Sequence, residues 1–208
     1  MTIEAEYSQL RAVIRQHFEL NITVPEAFFQ AEAAEIARAC LAMARRFQKG
    51  GRLLSFGTGP SASDAQHIAV EFVHPVLMGK KALPAMALSG EISGEVGTPN
   101  SFARRLELLG RPADIAVGFS SDKPGQAVLE GLQTAHRKGL LTLLLTGEAG
   151  REVAGANFDF CFAVPTNDPL TTQETHRTVY HILWELIHVF LEHEALFEKE
   201  GNSLNLER

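Results

Sequence analysis

Arg52-Leu53-Leu54-Ser55-Phe56-Gly57-Thr58-Gly59-Pro60-Ser61-Ala62 sets the frame of this 208-residue chain. A short apolar run ends in a glycine-rich turn, and a helix-period pattern follows over 61–73, so the segment reads as strand, turn, helix. Further short apolar runs lie at 82–88, 115–119, 140–145 and 158–164. Helical stretches separate most of them, at 101–109, 125–138 and a shorter one near 149–155. Buried runs alternating with helices indicate a parallel sheet covered on both faces. Upstream, a stripe of Leu10, Val13, Ile14, Phe18 and Leu20 predicts a helix over 3–22. The turn material Asn21 to Pro25 separates it from a second stripe through Ala33, Ile36, Ala37, Cys40, Leu41, Ala44 and Phe47. Lys49-Gly50-Gly51 stops that second helix. Downstream, Val179, Leu183, Leu186, Ile187 and Phe190 predict a long closing helix over roughly 170–199. The expectation is one α/β domain over 1–208, with a helical extension over 1–49 and an α/β core with its closing helix over 50–208.

Apolar residues make up 45% of the chain, ample for one core of this size. Nineteen basic against 25 acidic side chains give a net charge of −6, which argues against a general nucleic-acid binder. Two cysteines, Cys40 and Cys161, make neither a disulfide framework nor a cysteine zinc site, consistent with a reducing compartment. The N-terminal sequence has no signal pattern, and no apolar run reaches ~18 residues. A cytoplasmic protein without a membrane span is expected.

Four groups of residues carry candidate chemistry. In the turn Phe56 to Ala62, glycines let backbone amides point at a ligand, and the helix start behind them favours negative charge. Read as Gly57-x-Gly59-x-x-Ala62 the turn matches a dinucleotide fingerprint, but Pro60 removes an amide and the acidic partner about 20 residues on is missing. Phe119-Ser120-Ser121-Asp122-Lys123-Pro124-Gly125 is a second strand-to-helix loop, suited to gripping a phosphate or to plain capping. His67 and Glu71 stand one helical turn apart, on one face, where they can share a metal or simply touch each other. Gln173, Arg177, His181, Trp184 and His188 drift along one face of the closing helix, with His176 and His193 nearby.

Together these segments resemble the sugar isomerase (SIS) domain, and within it the phosphoheptose isomerase family. The resemblance rests on Gly57-x-Gly59-x-Ser61-x-x-Asp64-Ala65-x-His67-x-x-x-Glu71, the serine loop after Gly118, Leu145-Thr146-Gly147, and Gln173-Glu174-x-His176-x-x-x-x-His181. It implies a doubly wound five-stranded parallel sheet flanked by helices, and a homotetramer with sites between subunits. It also implies a zinc- or other metal-dependent isomerase of sedoheptulose 7-phosphate. Carried over, the metal ligands would be His67, Glu71, Gln173 and His181, the last two acting with the first pair across a subunit interface. Glu71 would match the catalytic base and His181 the acid. Gly59, Ser61, Ser120, Ser121, Asp122 and Gln173 would match substrate-binding positions. An aldose–ketose interconversion needs such an acid and base, and a metal to stabilise charge on the substrate oxygens.

The departures concern the substrate. The family's Ser-Thr-Ser-Gly-x-Ser phosphate loop becomes Ser120 to Gly125, with the Asp122 carboxylate where a hydroxyl is expected. Thr58 and Pro60 replace an asparagine and a glycine in the first turn. Gly90 and Leu170 replace acidic residues, and Pro75 an arginine. The metal and proton-transfer set is complete while the phosphate set is eroded, a pattern that favours an altered substrate over a dead enzyme, so turnover of the heptose phosphate is expected to be weak or absent. A non-catalytic SIS module that senses a phosphosugar or bridges partners, as in the replication-initiator-associating relatives, is the competing reading. A nucleotide-binding oxidoreductase is a third. For the tetramer, Phe18, Phe28, Trp184, Phe190 and Phe197 are the expected contact residues.

Overall fold

The structure, a computed structural model, describes residues 3–75, 77–88, 101–153 and 158–193. Five strands, β1 (Leu53–Gly57), β2 (Ala85–Ala87), β3 (Ile115–Phe119), β4 (Leu141–Gly147) and β5 (Phe160–Val164), form one sheet in the order β2-β1-β3-β4-β5. Every pairing is parallel, with Leu53 beside both Ala85 and Ile115, Ile115 beside Leu141, and Leu143 beside Phe160. Alternate side chains point to opposite faces. Leu53, Ile115, Val117, Phe119, Leu143, Leu145 and Phe162 pack on one side with α1 (Ile3–Gln48), α2 (Ser61–Val73) and α5 (Pro169–Glu192). Leu54, Phe56, Ala116 and Leu144 pack on the other with α3 (Ser101–Leu109) and α4 (Gln126–Arg137). This is the doubly wound parallel sheet expected, with helices on both faces.

The differences from expectation have local causes. The predicted break at Asn21 to Pro25 is absent: α1 runs unbroken from Ile3 to Gln48 with Pro25 inside it. A proline within a helix costs ~3 kcal/mol through the lost amide and the ring's clash with the preceding turn. Phe28, 1% exposed, packs into the core beside it, where full burial of such a side chain recovers about 1.5–3 kcal/mol, and the partly buried Val24 and Phe29 add to this. Packing therefore outweighs the turn signal. β2 is cut to three residues because Pro84, which has no amide to donate, precedes it, although its carbonyl still accepts from Leu53 N at 2.9 Å. The stretch near 149–155 is a 3-10 turn over Glu148–Val153. The closing helix starts where Asp168 caps it, accepting from Thr171 N at 2.7 Å, and is described to Glu192. Its expected continuation to 199 lies outside the described residues, as do Gly90 and Phe197.

Tyr7, Leu10, Val13, Ile14, Phe18 and Ile22 leave an exposed apolar stripe along the first half of α1. Two of the expected contact residues do not belong to any such surface. Phe28 and Trp184 are buried in the chain's own core, because the second half of α1 packs along α5. Phe190 is half-buried against the same core. Among the described residues no helix is long and apolar enough to cross a membrane.

Candidate active site

In a sheet ordered 2-1-3-4-5, the loops leaving β1 and β3 diverge from the point where the winding reverses, and a crevice opens there. The β1 turn is shaped by two glycines. Gly59 adopts φ +56°, and a Cβ on Gly57 would lie 2.6 Å from the Ser61 carbonyl oxygen. Ser61, the first residue of α2, is buried, and its Oγ accepts from Ser121 N at 2.9 Å, tying the two loops together across the crevice. The Asp122 carbonyl oxygen accepts from Ser120 Oγ (3.0 Å) and Thr146 Oγ1 (2.8 Å), so the backbone of Asp122 closes this loop while its side chain is exposed. Lys123 reaches outward to Glu152 at 3.9 Å. Gly125 occupies the cap position of α4, with no side-chain bond there, so Asp122 does not cap that helix.

Farther along α2, burial of Ser61, Asp64, Ala65, Ile68, Ala69 and Phe72 fixes which face meets the core. His67 and Glu71 lie at the edge of that face, half-buried beside α5. His67 Nε2 is 3.0 Å from Glu71 Oε1, and His181 Nε2 on α5 is 3.9 Å from the same oxygen. One potential ligand atom from each of the three lies within 4.8 Å of the others. The resemblance implied that His181 meets this pair across a subunit boundary. Here the three meet within one chain, because α2 and α5 are neighbours on one face of the sheet. A cleft of about 260 Å³ beside them is lined by Glu71, Leu77, His181, Trp184 and Glu185. Burial holds the His181 imidazole below the usual histidine range, opposed by the Glu71 carboxylate and reinforced by His67 and Arg177.

The other residues of the closing-helix motif divide between site and core. Gln173 Nε2 donates to the Pro60 carbonyl and to Ser63 Oγ, both at 3.0 Å, which spends its amide nitrogen on the start of α2. His176 is fully buried, its Nε2 3.3 Å from the Thr146 carbonyl and its ring beside Phe119, and burial pushes it down to about 4. It is a packing residue. Asp64 is buried in the first turns of α2, and burial pushes its carboxyl up to about 6, against the pull of Gln173, Arg177 and His67. The residue that sequence reasoning missed is Tyr180, whose Oη lies 3.1 Å from His67 Nδ1. A tyrosine on the apolar stripe of a helix reads as core, and the only sequence signal was its place next to His181.

The fold and these segments make the class plain: the SIS-domain family model matches residues 18–147, and the chain belongs to that family. Phosphoheptose isomerases from Thermodesulfovibrio yellowstonii (34% identical, covering 84% of this chain and 89% of the relative) and Desulfovibrio desulfuricans (36%, 86% and 88%) are similar along most of their length. The solved phosphoheptose isomerase of Neisseria gonorrhoeae superposes with a TM-score of 0.77 at 26% identity, covering 86% of this chain and 98% of that one. Within the SIS domains, this chain belongs to the phosphoheptose isomerase family.

Proposed function

We propose that the chain is a metal-dependent aldose–ketose isomerase of a sugar phosphate, of the sedoheptulose 7-phosphate isomerase type. The observation that carries this reading is the convergence of His67, Glu71 and His181 on one point beside a cleft, on the helix whose first residue ties two loops suited to an anion. Two imidazole nitrogens and a carboxylate oxygen fit zinc, and leave a coordination position for substrate. His67, Glu71 and His181 would hold it, while Gln173, the fourth ligand the resemblance implied, is tied to Pro60 and Ser63 two turns earlier on α5. The metal, when bound, would supply positive charge against the carbonyl oxygen as the neighbouring carbon loses its proton.

The chain's own groups divide the remaining work. Glu71 Oε1 faces both histidines, which leaves Oε2 to take the proton from the carbon beside the carbonyl and return it to its neighbour. The His181 ring nitrogen that a metal leaves free would carry the hydroxyl proton between the two oxygens. Burial favours the neutral imidazole, the form a metal ligand requires. Gly59, Ser61, Ser120, Ser121, Asp122 and Gln173 surround the sugar and phosphate. The exposed stripe from Tyr7 to Ile22 is the surface on which a homotetramer would assemble. The test is zinc content of protein purified without chelators, beside an isomerase assay with sedoheptulose 7-phosphate on the native chain and on Glu71→Gln. Native protein with one zinc per chain, and a variant roughly 100- to 10,000-fold slower in kcat, are expected. Metal-free native protein, or a variant within about tenfold of native, would overturn the reading.

A further inference from the structure

We propose that Tyr180 is the positioning residue for His67, its hydroxyl fixing the imidazole so that Nε2 faces Glu71 and the cleft. This rests on the metal-site reading above and extends it to a residue outside the ligand set. Successive residues of a helix point about 100° apart, so His181 can reach the cleft while Tyr180 points into the core. Tyr180 is fully buried, its ring edge-on to Phe119 (6.1 Å between centroids) and to His181 (5.1 Å) and tilted against His67 (5.4 Å). A phenylalanine would fill that volume equally well. What requires a reason is the hydroxyl, since a buried O–H must find a partner. Its partner is His67 Nδ1 at 3.1 Å, while Nε2 of the same ring lies 3.0 Å from Glu71 Oε1.

Both nitrogens of His67 are thus engaged, and a neutral imidazole has only one proton to place. With the proton on Nε2, the ring donates to Glu71, and Nδ1 accepts from the Tyr180 O–H. With a cation on Nε2, the proton moves to Nδ1 and the phenol oxygen accepts it. A hydroxyl can do both without moving, so one ring orientation serves the metal-free and the loaded protein. A carbonyl could only accept and an amide N–H could only donate. Arg177 also donates towards the same hydroxyl, and the Asp64 carboxylate acts on it through its charge.

The experiment compares native protein, Tyr180→Phe and His67→Ala by zinc affinity in chelator competition, by thermal melting after metal removal, and by 15N–1H NMR of the histidine rings. Tyr180→Phe keeps the packed ring. It should bind zinc 10- to 100-fold more weakly than native protein. It should also lose the exchange-protected Nδ1–H signal that His67 shows in the zinc-loaded native chain. Zinc affinity within about threefold of native, with the Nδ1–H signal retained, overturns the proposal. If native protein and His67→Ala take up zinc equally poorly, the metal reading fails instead. The positioning role is then decided on the metal-free chain, where the Nδ1 resonance must differ between native and Tyr180→Phe protein. An unchanged resonance rejects it. Should the variant not fold, the native spectrum decides alone: Nδ1 must show a hydrogen-bonded shift in the metal-free form.

Discussion

Replacing Asp122 with serine removes one negative charge from the loop proposed to face the substrate phosphate, and the structure fixes how much that charge can matter. At the effective dielectric of ~20 usual for partly enclosed pairs near a protein surface, two unit charges ~4 Å apart would repel by ~4 kcal/mol, close to a thousandfold in affinity. The Asp122 side chain is exposed, and its loop is held by the backbone carbonyl on Ser120 and Thr146 rather than by the carboxylate. In a water-like dielectric the same pair repels by only ~1 kcal/mol, about fivefold. Asp122→Ser should therefore lower KM for sedoheptulose 7-phosphate about fivefold at low salt, and the gain should fade as the screening length contracts towards ~3 Å at molar salt. The melting temperature should not move, because Gly125 rather than Asp122 caps α4. Steady-state kinetics across a salt series, with Asp122→Asn as the isosteric control, makes the measurement. A gain that survives high salt, a gain beyond about a hundredfold, or none at low salt would each refute this reasoning. The native chain should then be a working phosphosugar isomerase with a mildly raised KM, not the feeble one that loop composition alone suggested.

Two further predictions concern stability. Asp114 is 1% exposed and accepts from Arg52 N at 2.8 Å, Arg111 N at 3.1 Å and the Arg52 guanidinium at 2.7 Å. Asp114→Ala strands those donors and should cost about 3 kcal/mol in urea unfolding, the low end for a broken buried pair because Arg52 is partly solvated; a loss below about 1 kcal/mol would contradict the assignment. The second concerns pH. Asp64, raised to about 6, binds protons more readily folded than unfolded, so its penalty is full above pH 6 and vanishes as pH falls towards 4. His176, lowered to about 4, does the reverse: the stability it contributes is full above pH 6.5 and is lost on acidification towards 4. In the native chain the two slopes oppose. Asp64→Asn should raise the melting temperature of metal-free protein at pH 8 and make it fall more steeply with acid, whereas parallel curves for native and variant would sink the idea.

β1, β3 and β4 were legible because each is a run of buried residues closed by a turn, and α2 was legible to the residue because the turn from Gly57 to Pro60 ends the strand before it. What the chain could not announce was any outcome decided by contacts distant in sequence. Asn21 to Pro25 carries every mark of a turn, and only the packing of Val24, Phe28 and Phe29 against other elements keeps α1 whole. Phe28 and Trp184 look like interface aromatics until α1 and α5 are laid side by side. At the site, one helix's periodicity pairs His67 with Glu71. His181 joined them only through family resemblance. Tyr180 stayed hidden because its partner is 113 residues away and a phenol on an apolar stripe looks like packing.

The pairing of α2 with α5 also explains why recognition and chemistry sit apart. Gln173 is pinned to Pro60 and Ser63 at the start of α2, and two turns on, Tyr180 and His181 meet His67 and Glu71. At 1.5 Å of rise per residue, the ten-residue step from Ser61 to Glu71 spans ~15 Å along the axis. The tied loops lie at one end of that step and the candidate metal ligands at the other. On the proposed reading, a phosphate held by the loops leaves the chain's far end to reach the carboxylate, which suits an extended sugar with phosphate and carbonyl at opposite ends. A short phosphorylated sugar would satisfy one end only. On that reading, the spacing along α2 would favour longer phosphosugars independently of which hydroxyls the loop between Ser120 and Gly125 has kept.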